Sequence, residues 1–349
     1  MNALLLTPTF TPALTGNAVT VERIGRALMQ GGIACKILDL SRLAPDVLLD
    51  QAKAFEPDIL HVFHAFKTGP AGLKIKNTFP IPMITTMTGT DINLDIRTPG
   101  RKEIILEVLH QSDMITVFNE QAKALLLRRR IPPERIAVIH QAFSLPAAAT
   151  LDYRSALQID RDAPVFLLLG AIRAVKNYPY ALQVLEKAKR IYPGIHLIIA
   201  GPVLEEDAFA RIRKQIAGKT WVTCLGEVSR ENVPSLLTAA DIVLNTSFSE
   251  SESNTVLEAL SLGKIVIGRA IPGNASILTE QTGFSFHNKN EFYEKIIHVL
   301  KHRDNLEKMR RQAQQGIRHQ FHPDRERSDY LAIYHQLTSA SGRYKNNCL

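Results

Sequence analysis

Near residue 250 the chain reads Asn245-Thr-Ser-Phe-Ser-Glu250-Ser-Glu252-Ser-Asn-Thr255-Val-Leu-Glu258-Ala-Leu-Ser-Leu-Gly263-Lys-Ile-Val-Ile. A polar loop gives way to a helix from about residue 254, which Gly263 closes as a C-cap before another strand. Ser253, Asn254 and Thr255 are small polar residues at that helix N-terminus. The unpaired first-turn amides and the positive dipole end would receive a phosphate. Glu258, in the first turns, can accept two hydrogen bonds from vicinal hydroxyls, as a ribose would offer. Glu250, ahead of the helix, can hold a second polyol. The plainer reading is an exposed acidic helix start, where the dipole favours Glu.

Other loops carry similar chemistry. Gly170-Ala-Ile-Arg173-Ala-Val-Lys176-Asn177 follows a strand and holds two cations three residues apart. Arg supplies a planar fork and Lys a point charge, a pairing that suits a diphosphate; two solvated surface cations are the alternative. Thr7-Pro-Thr-Phe-Thr-Pro-Ala-Leu-Thr-Gly16-Asn17-Ala-Val-Thr20 joins the first strand to a helix. Gly16 would let backbone approach a ligand, and Asn17 would cap the helix or bind. The loop lacks the GxGxxG spacing, so dinucleotide binding is not supported. Thr88-Gly89-Thr90-Asp91 ends another strand, and its carboxylate suits either hydroxyl recognition or capping of backbone amides. His64 and Lys67 also follow a strand and are candidate acceptor contacts, although a lone histidine there more often packs than binds.

The elements that must position these residues are strands alternating with helices. Strand-like runs cover residues 3–7, 34–38, 59–63, 83–87, 114–118 and 136–140, then 165–169, 196–200, 221–225, 242–245, 265–268 and a weak 283–286. Helical periodicity lies between them, as in 19–29, 104–110, 179–191 and 292–300. This alternation predicts parallel sheets covered by helices on both faces. The pattern occurs twice in units of about 150 residues, a domain-sized length. The expected class is therefore α/β, with two Rossmann-like doubly wound domains facing a cleft. The first spans residues 1–148 and the second 163–322, with a Pro- and Ala-rich linker at 146–164. In open parallel sheets ligands bind beyond the carboxyl ends of the strands, where the singled-out loops lie.

Composition narrows the class further. The 349 residues are 45% hydrophobic and 22% charged, ordinary for globular domains. No apolar run approaches the ~20 residues of a spanning helix. Cys35, Cys224 and Cys348 have neither a zinc nor a disulfide spacing, and no basic region precedes the first apolar run, so a cytoplasmic setting is expected. The net charge is +8. Residues 1–150 carry 16 basic and 13 acidic side chains, residues 151–300 carry 16 of each, and residues 301–349 carry 10 and 5. The surplus thus falls on the last, helix-like stretch, and the balanced middle argues against nucleic acid. That basic stretch leaves a weak peripheral contact with anionic lipid open.

At Glu250-x7-Glu258, with the following Ala-Leu-Ser-Leu-Gly-Lys-Ile-Val-Ile, the sequence resembles the retaining GT-B glycosyltransferases of family 4. Arg173/Lys176, Gly201-Pro202, Leu225-Gly226-Glu227 and Ala240-Asp241-Ile242 fall in that family's order. The 15–20, 89–91, 173–176 and 271–275 segments resemble a narrower subgroup, the glycosyltransferase 1 domain-containing proteins, and more distantly selenosugar synthases. The resemblance implies a GT-B fold, and a C-terminal helix at about 323–338 that returns to the first, acceptor-side domain. It implies a nucleoside diphosphate sugar donor, expected to be UDP-linked, with no cofactor and no essential metal.

The resemblance also implies roles. Arg173 and Lys176 would neutralise the donor diphosphate, Glu250 would contact the donor sugar, and these three form the expected catalytic set. Glu258 would bind the ribose, and the amides around Ser253, Asn254 and Thr255 the phosphates. Gly16, Asn17, Gly170 and Asp91 complete the donor side, with His64 and Lys67 toward a small-molecule or glycan acceptor. Two departures stand out: Ser251-Glu252-Ser253 replaces the family's Gly-Phe-Gly, and His140-Gln141-Ala142 replaces its Asn-Gly. Transfer to a sulfur or selenium nucleophile, and a non-catalytic nucleotide-sugar-binding protein, stay open beside ordinary sugar transfer.

Overall fold

The computed structural model describes residues 1–10, 16–143, 145–146 and 151–340. The chain forms two compact units, one of Met1–Ala142 with the chain from Phe321 onward, the other of Phe143–Gln320. Each holds a six-stranded sheet.

In the first unit the strands are β1 (Asn2–Thr7), β2 (Ala34–Asp39), β3 (Ile59–Phe63), β4 (Met83–Thr86), β5 (Met114–Val117) and β6 (Ile136–Val138), in the order β2-β1-β3-β4-β5-β6. In the second they are β7 (Val165–Leu169), β8 (His196–Ala200), β9 (Val222–Gly226), β10 (Ile242–Asn245), β11 (Ile265–Arg269) and β12 (Phe284–Phe286), in the order β12-β11-β10-β7-β8-β9. All the pairings are parallel. The strand order reverses between β1 and β3 in one sheet and between β7 and β10 in the other. Those switch points are where open parallel sheets leave a crevice for ligands.

Both faces of the first sheet are buried. Side chains alternate across a strand, so Leu4 and Leu6 pack with Leu60, Val62 and Val108 on one face. Ala3 and Leu5 pack with Val21, Ile24 and Leu28 on the other. The second face is finished by Tyr330, Ile333 and Tyr334 of the helix Pro323–Ala340. An Arg23–Glu326 ion pair joins that helix to Gly16–Gln30.

Beneath it lies a buried polar chain that no sequence pattern announced. His61 Nδ1 is 2.8 Å from the Tyr334 hydroxyl, and His61 Nε2 is 2.6 Å from Thr86 Oγ1, itself 2.5 Å from Thr116 Oγ1. Burial pushes the His61 imidazole down to about 3, so it stays neutral.

The expected linker belongs to the second unit where it is described. Residues Tyr153–Ala156 form a short helix, with Tyr153 buried. Arg154 donates to the Ala239 carbonyl at 2.9 Å and pairs with Asp241 at 2.8 Å. The guanidinium's several donors turn a composition-defined linker into a packed strap. Among the described residues no helix is long and apolar enough to cross a membrane.

Tyr334→Phe should cost about 1–3 kcal/mol, because it leaves His61 Nδ1 buried without its partner. Urea unfolding checks this; an unchanged midpoint would show that the hydroxyl does not hold the helix down. His61 should also make stability fall as pH drops below the unfolded imidazole range near 6.5, because the unfolded chain takes up a proton that the folded one refuses until about 3.

Candidate functional site

The second unit's site starts with two glycines. Gly170 has φ +138° and Gly201 φ +143°. A Cβ at Gly201 would lie 2.1 Å from the Gly170 carbonyl oxygen, so the ends of β7 and β8 meet backbone to backbone. The loop after β7 then runs through extended Arg173 into the 3-10 turn Ala174–Lys176. The loop after β10 is clasped onto it. Thr246 Oγ1 donates to the Lys176 carbonyl at 3.0 Å, and the Phe248 amide donates to the Val175 carbonyl at 2.8 Å.

That clasp brings Lys176 Nζ within 2.6 Å of Glu250 Oε1, which also accepts from Ser247 Oγ at 2.7 Å. Arg173 turns instead to Glu205: Nε is 3.3 Å from Oε1, while the Ala174 amide donates to Oε2 at 2.8 Å. That amide holds the Glu205 carboxyl below its ordinary range against the opposing effect of burial, with Arg173 adding to it.

The helix Asn254–Ser261 begins at the same place. Thr255 Oγ1 donates to the Leu169 carbonyl at 3.2 Å, which fixes the helix N-terminus against the end of β7. Ser253 is buried and its hydroxyl accepts from Asn245 Nδ2 at 3.0 Å rather than capping the helix. Asn274, wholly buried, donates from Nδ2 to Asn245 Oδ1 at 3.2 Å and to the Arg269 carbonyl at 2.9 Å. A Cβ at Gly273 would lie 2.4 Å from the Glu250 carbonyl oxygen, so Pro272–Ala275 braces the loop from below.

Glu258 is 3% exposed, which removes the reading of an exposed acidic helix start. Burial pushes its carboxyl up, and Arg230, 2.5 Å away, pulls it back. Glu252, which stands where the resemblance leads one to expect Phe, is buried too.

In the first unit, His64 follows β3 with φ +77°, an unusual conformation for a side-chain-bearing residue. It is fully buried; Nδ1 accepts from the Lys67 amide at 3.3 Å and Nε2 lies 2.9 Å from Thr90 Oγ1. Asp95 stands 3.8 Å from Nε2 and pairs with Arg101 at 2.7 Å. Lys67 is exposed on the first turn of Ala65–Thr78. Gly16 and Asn17 open the helix Gly16–Gln30, so they belong to its first turn and not to a preceding loop. Among the described residues, nothing lies within 4 Å of a Cβ placed at Gly16. Thr15, the other end of that motif, lies outside the described residues.

Asp91 takes the second of its two expected readings, the capping of backbone amides. It is fully buried, and its oxygens accept from the amides of Ala65 (2.9 Å), Thr88 (3.1 Å), Gly89 (2.8 Å) and Ile92 (3.0 Å). A carboxylate so occupied ties the start of Ala65–Thr78 to the loop after β4. These contacts place Asp91 as an organiser of the two loops.

Residues 150–316 match the family Glycosyl transferases group 1, and residues 12–145 match Glycosyltransferase Family 4. The chain belongs to the GT-B glycosyltransferases of group 1. It is 25% identical over 291 residues to Glycosyltransferase 1 domain-containing protein 1 of Xenopus tropicalis, covering 80% of this chain and 82% of that protein. It is 25% identical to a trehalose synthase of Pyrococcus horikoshii over 66% of this chain, but spans only 57% of that protein. Among solved structures it resembles a sucrose-phosphate synthase from Thermosynechococcus elongatus, with TM-score 0.84 and 16% identity over 97% of this chain and all of that one. Anabaena HepE, solved with UDP-glucose, superposes with TM-score 0.80 and 17% identity over 97% and 100%.

Within this glycosyltransferase the sequence reading missed four side chains that shape the site: Glu205, Arg230, Asn245 and Asn274. Each follows or ends a strand of the second sheet, and that position was the available signal. Their side-chain partners lie on other elements, so spacing alone could not pair them.

Asp91→Asn should lower stability by about 1–3 kcal/mol, since an amide cannot accept from four backbone N–H groups. Nucleotide affinity should stay unchanged. A variant of normal stability that has lost donor affinity would return Asp91 to the sugar.

Proposed function

We propose that this glycosyltransferase moves a hexose from a UDP-linked donor to a small-molecule or glycan acceptor in the cytoplasm, with retention at the anomeric carbon. The observation that carries the reading is the convergence of the Lys176–Glu250 pair, Arg173 and the N-terminus of Asn254–Ser261 at the β7/β10 switch point. The capture of UDP-glucose by Anabaena HepE, a protein of the same fold, supports the choice of donor.

As the glycosidic bond breaks, negative charge gathers on the leaving diphosphate. Arg173, Lys176 and the first-turn amides of Asn254–Ser261 stabilise it, with Ser253, Asn254 and Thr255 shaping the approach. Fixed donors do this better than water, which must reorient; losing one costs about 3–4 kcal/mol of barrier. Glu250 orients the sugar, and Glu258 accepts the ribose hydroxyls. The leaving phosphate assists attack from its own face of the sugar, so the reading needs no dedicated protein base. These cations and amides take the place of a metal, and no cofactor is assigned. Lys67, exposed beyond β3 of the first unit, is assigned to the acceptor, with the buried His64 holding the start of its helix.

A thermal-shift panel of nucleoside diphosphates and their sugars tests the donor. UDP at 100 times its dissociation constant should add ~2.7 kcal/mol. Arg173→Ala and Lys176→Ala should fold normally and weaken UDP binding, and EDTA should leave transfer unaffected. NMR of the product should show the donor's anomeric configuration. Variants that bind UDP as wild type does would overturn the phosphate assignment. UDP-sugar binding with neither transfer nor slow hydrolysis would point to a sensor.

A further inference from the structure

The ribose assignment of Glu258 rests on the reading above, and it raises a physical difficulty. A carboxylate accepts two hydroxyls only when ionised. Glu258 is 3% exposed, on a helix that also buries Val256, Leu257, Ala259 and Leu260 completely. Such surroundings favour the protonated form, which would turn one oxygen into a donor.

The packed elements supply little relief. On its own helix, the Ser261 hydroxyl donates to the Glu258 backbone carbonyl. From Glu307–Gln320, Gln314 and Arg318 donate to the Ser261 carbonyl, and Arg310 lies beside Gly263. Lys264 Nζ donates to the Thr238 carbonyl. Among the described residues, the charged group placed against the carboxylate is Arg230, 2.5 Å from Oε1. Arg230 opens the 3-10 turn Arg230–Asn232, and its side chain is 52% exposed. It therefore bridges solvent and a buried acid.

We propose that Arg230 is the positioning residue for ribose recognition: it holds Glu258 ionised and aimed, and so makes the donor site selective for nucleotides bearing both ribose hydroxyls. Glu258 contacts the sugar edge; Arg230 acts through it. Because Arg230 is half exposed, its removal leaves no cavity in the core and the variant should fold.

Calorimetry compares UDP with 2′,3′-dideoxy-UDP from pH 6 to 8.5. Wild type should prefer UDP throughout. Arg230→Ala should lose about tenfold in UDP affinity at pH 6, the effect of one pK unit, and regain part of it by pH 8.5 as Glu258 deprotonates. Its affinity for dideoxy-UDP should not move, and Arg230→Lys should behave as wild type. Equal loss for both ligands, or a loss that does not change with pH, overturns the proposal.

A second arm uses no ligand. Without Arg230 the folded state keeps the Glu258 proton to higher pH than the unfolded chain does, so Arg230→Ala should fall further below wild-type stability as pH rises from 5 to 8. Glu258→Gln added to that variant should abolish the trend, and a trend that survives it overturns the coupling. If wild type binds UDP and dideoxy-UDP equally, the ribose reading fails and takes the proposal with it. If wild type discriminates and Arg230→Ala does so equally well, the Arg230 inference alone fails.

Discussion

The second unit depends on the parallel pairing of β7 with β10, strands adjacent in the sheet but far apart in sequence. Ile242 pairs with Phe166 and Val243 with Leu167, and beyond that short ladder both loops leave the sheet on the same side. They are stitched by the Thr246 hydroxyl and the Phe248 amide onto the backbone of 175–177. Lys176 and Glu250, 74 residues apart, become an ion pair because of it. The same geometry lets Thr255 fix a helix N-terminus to the end of β7. Gly201 belongs to this constraint, since any side chain there would drive β8 into the Gly170 carbonyl.

Among the described residues, three ion pairs stand around the switch point: Arg173 with Glu205, Lys176 with Glu250, Arg230 with Glu258. The pairs differ in physical weight. Both partners of Arg173–Glu205 are about two-fifths exposed, so water screens the attraction and an incoming anion can open it cheaply. Lys176–Glu250 is more enclosed, and Glu258 is the most enclosed of all. Separating such a pair leaves a charge short of solvent, so enclosed partners stay set while the exposed one yields.

The first unit is organised by other means. Its sheet is capped on one face by a helix that arrives from the far end of the chain, and the His61–Tyr334 contact spans 273 residues. Buried polar groups of this kind are tolerated because each finds a partner. Asp91 does similar work for the loops after β3 and β4, converting backbone amides that would otherwise need water into a rigid frame around His64.

Strand and helix alternation, the two-sheet architecture and the loops that matter were legible in the sequence, because side-chain periodicity and Gly or Pro punctuation are local properties. The charge and hydrogen-bonding type of Arg173, Lys176, Glu250 and Glu258 could be read too, because a guanidinium, an ammonium or a carboxylate can do only a few things. The family order of motifs was legible for the same reason. What Asp91 and Glu258 touch was not legible: a carboxylate at a strand end or in a helix's early turns reads the same whether it faces solvent, a sugar or four amides. The packing of the linker by Arg154, the partners Glu205 and Arg230, and the neutral His61 were hidden as well. Each depends on residues far apart in the chain meeting at one place, and only the folded backbone, through burial and the distance between charges, decides which of them do.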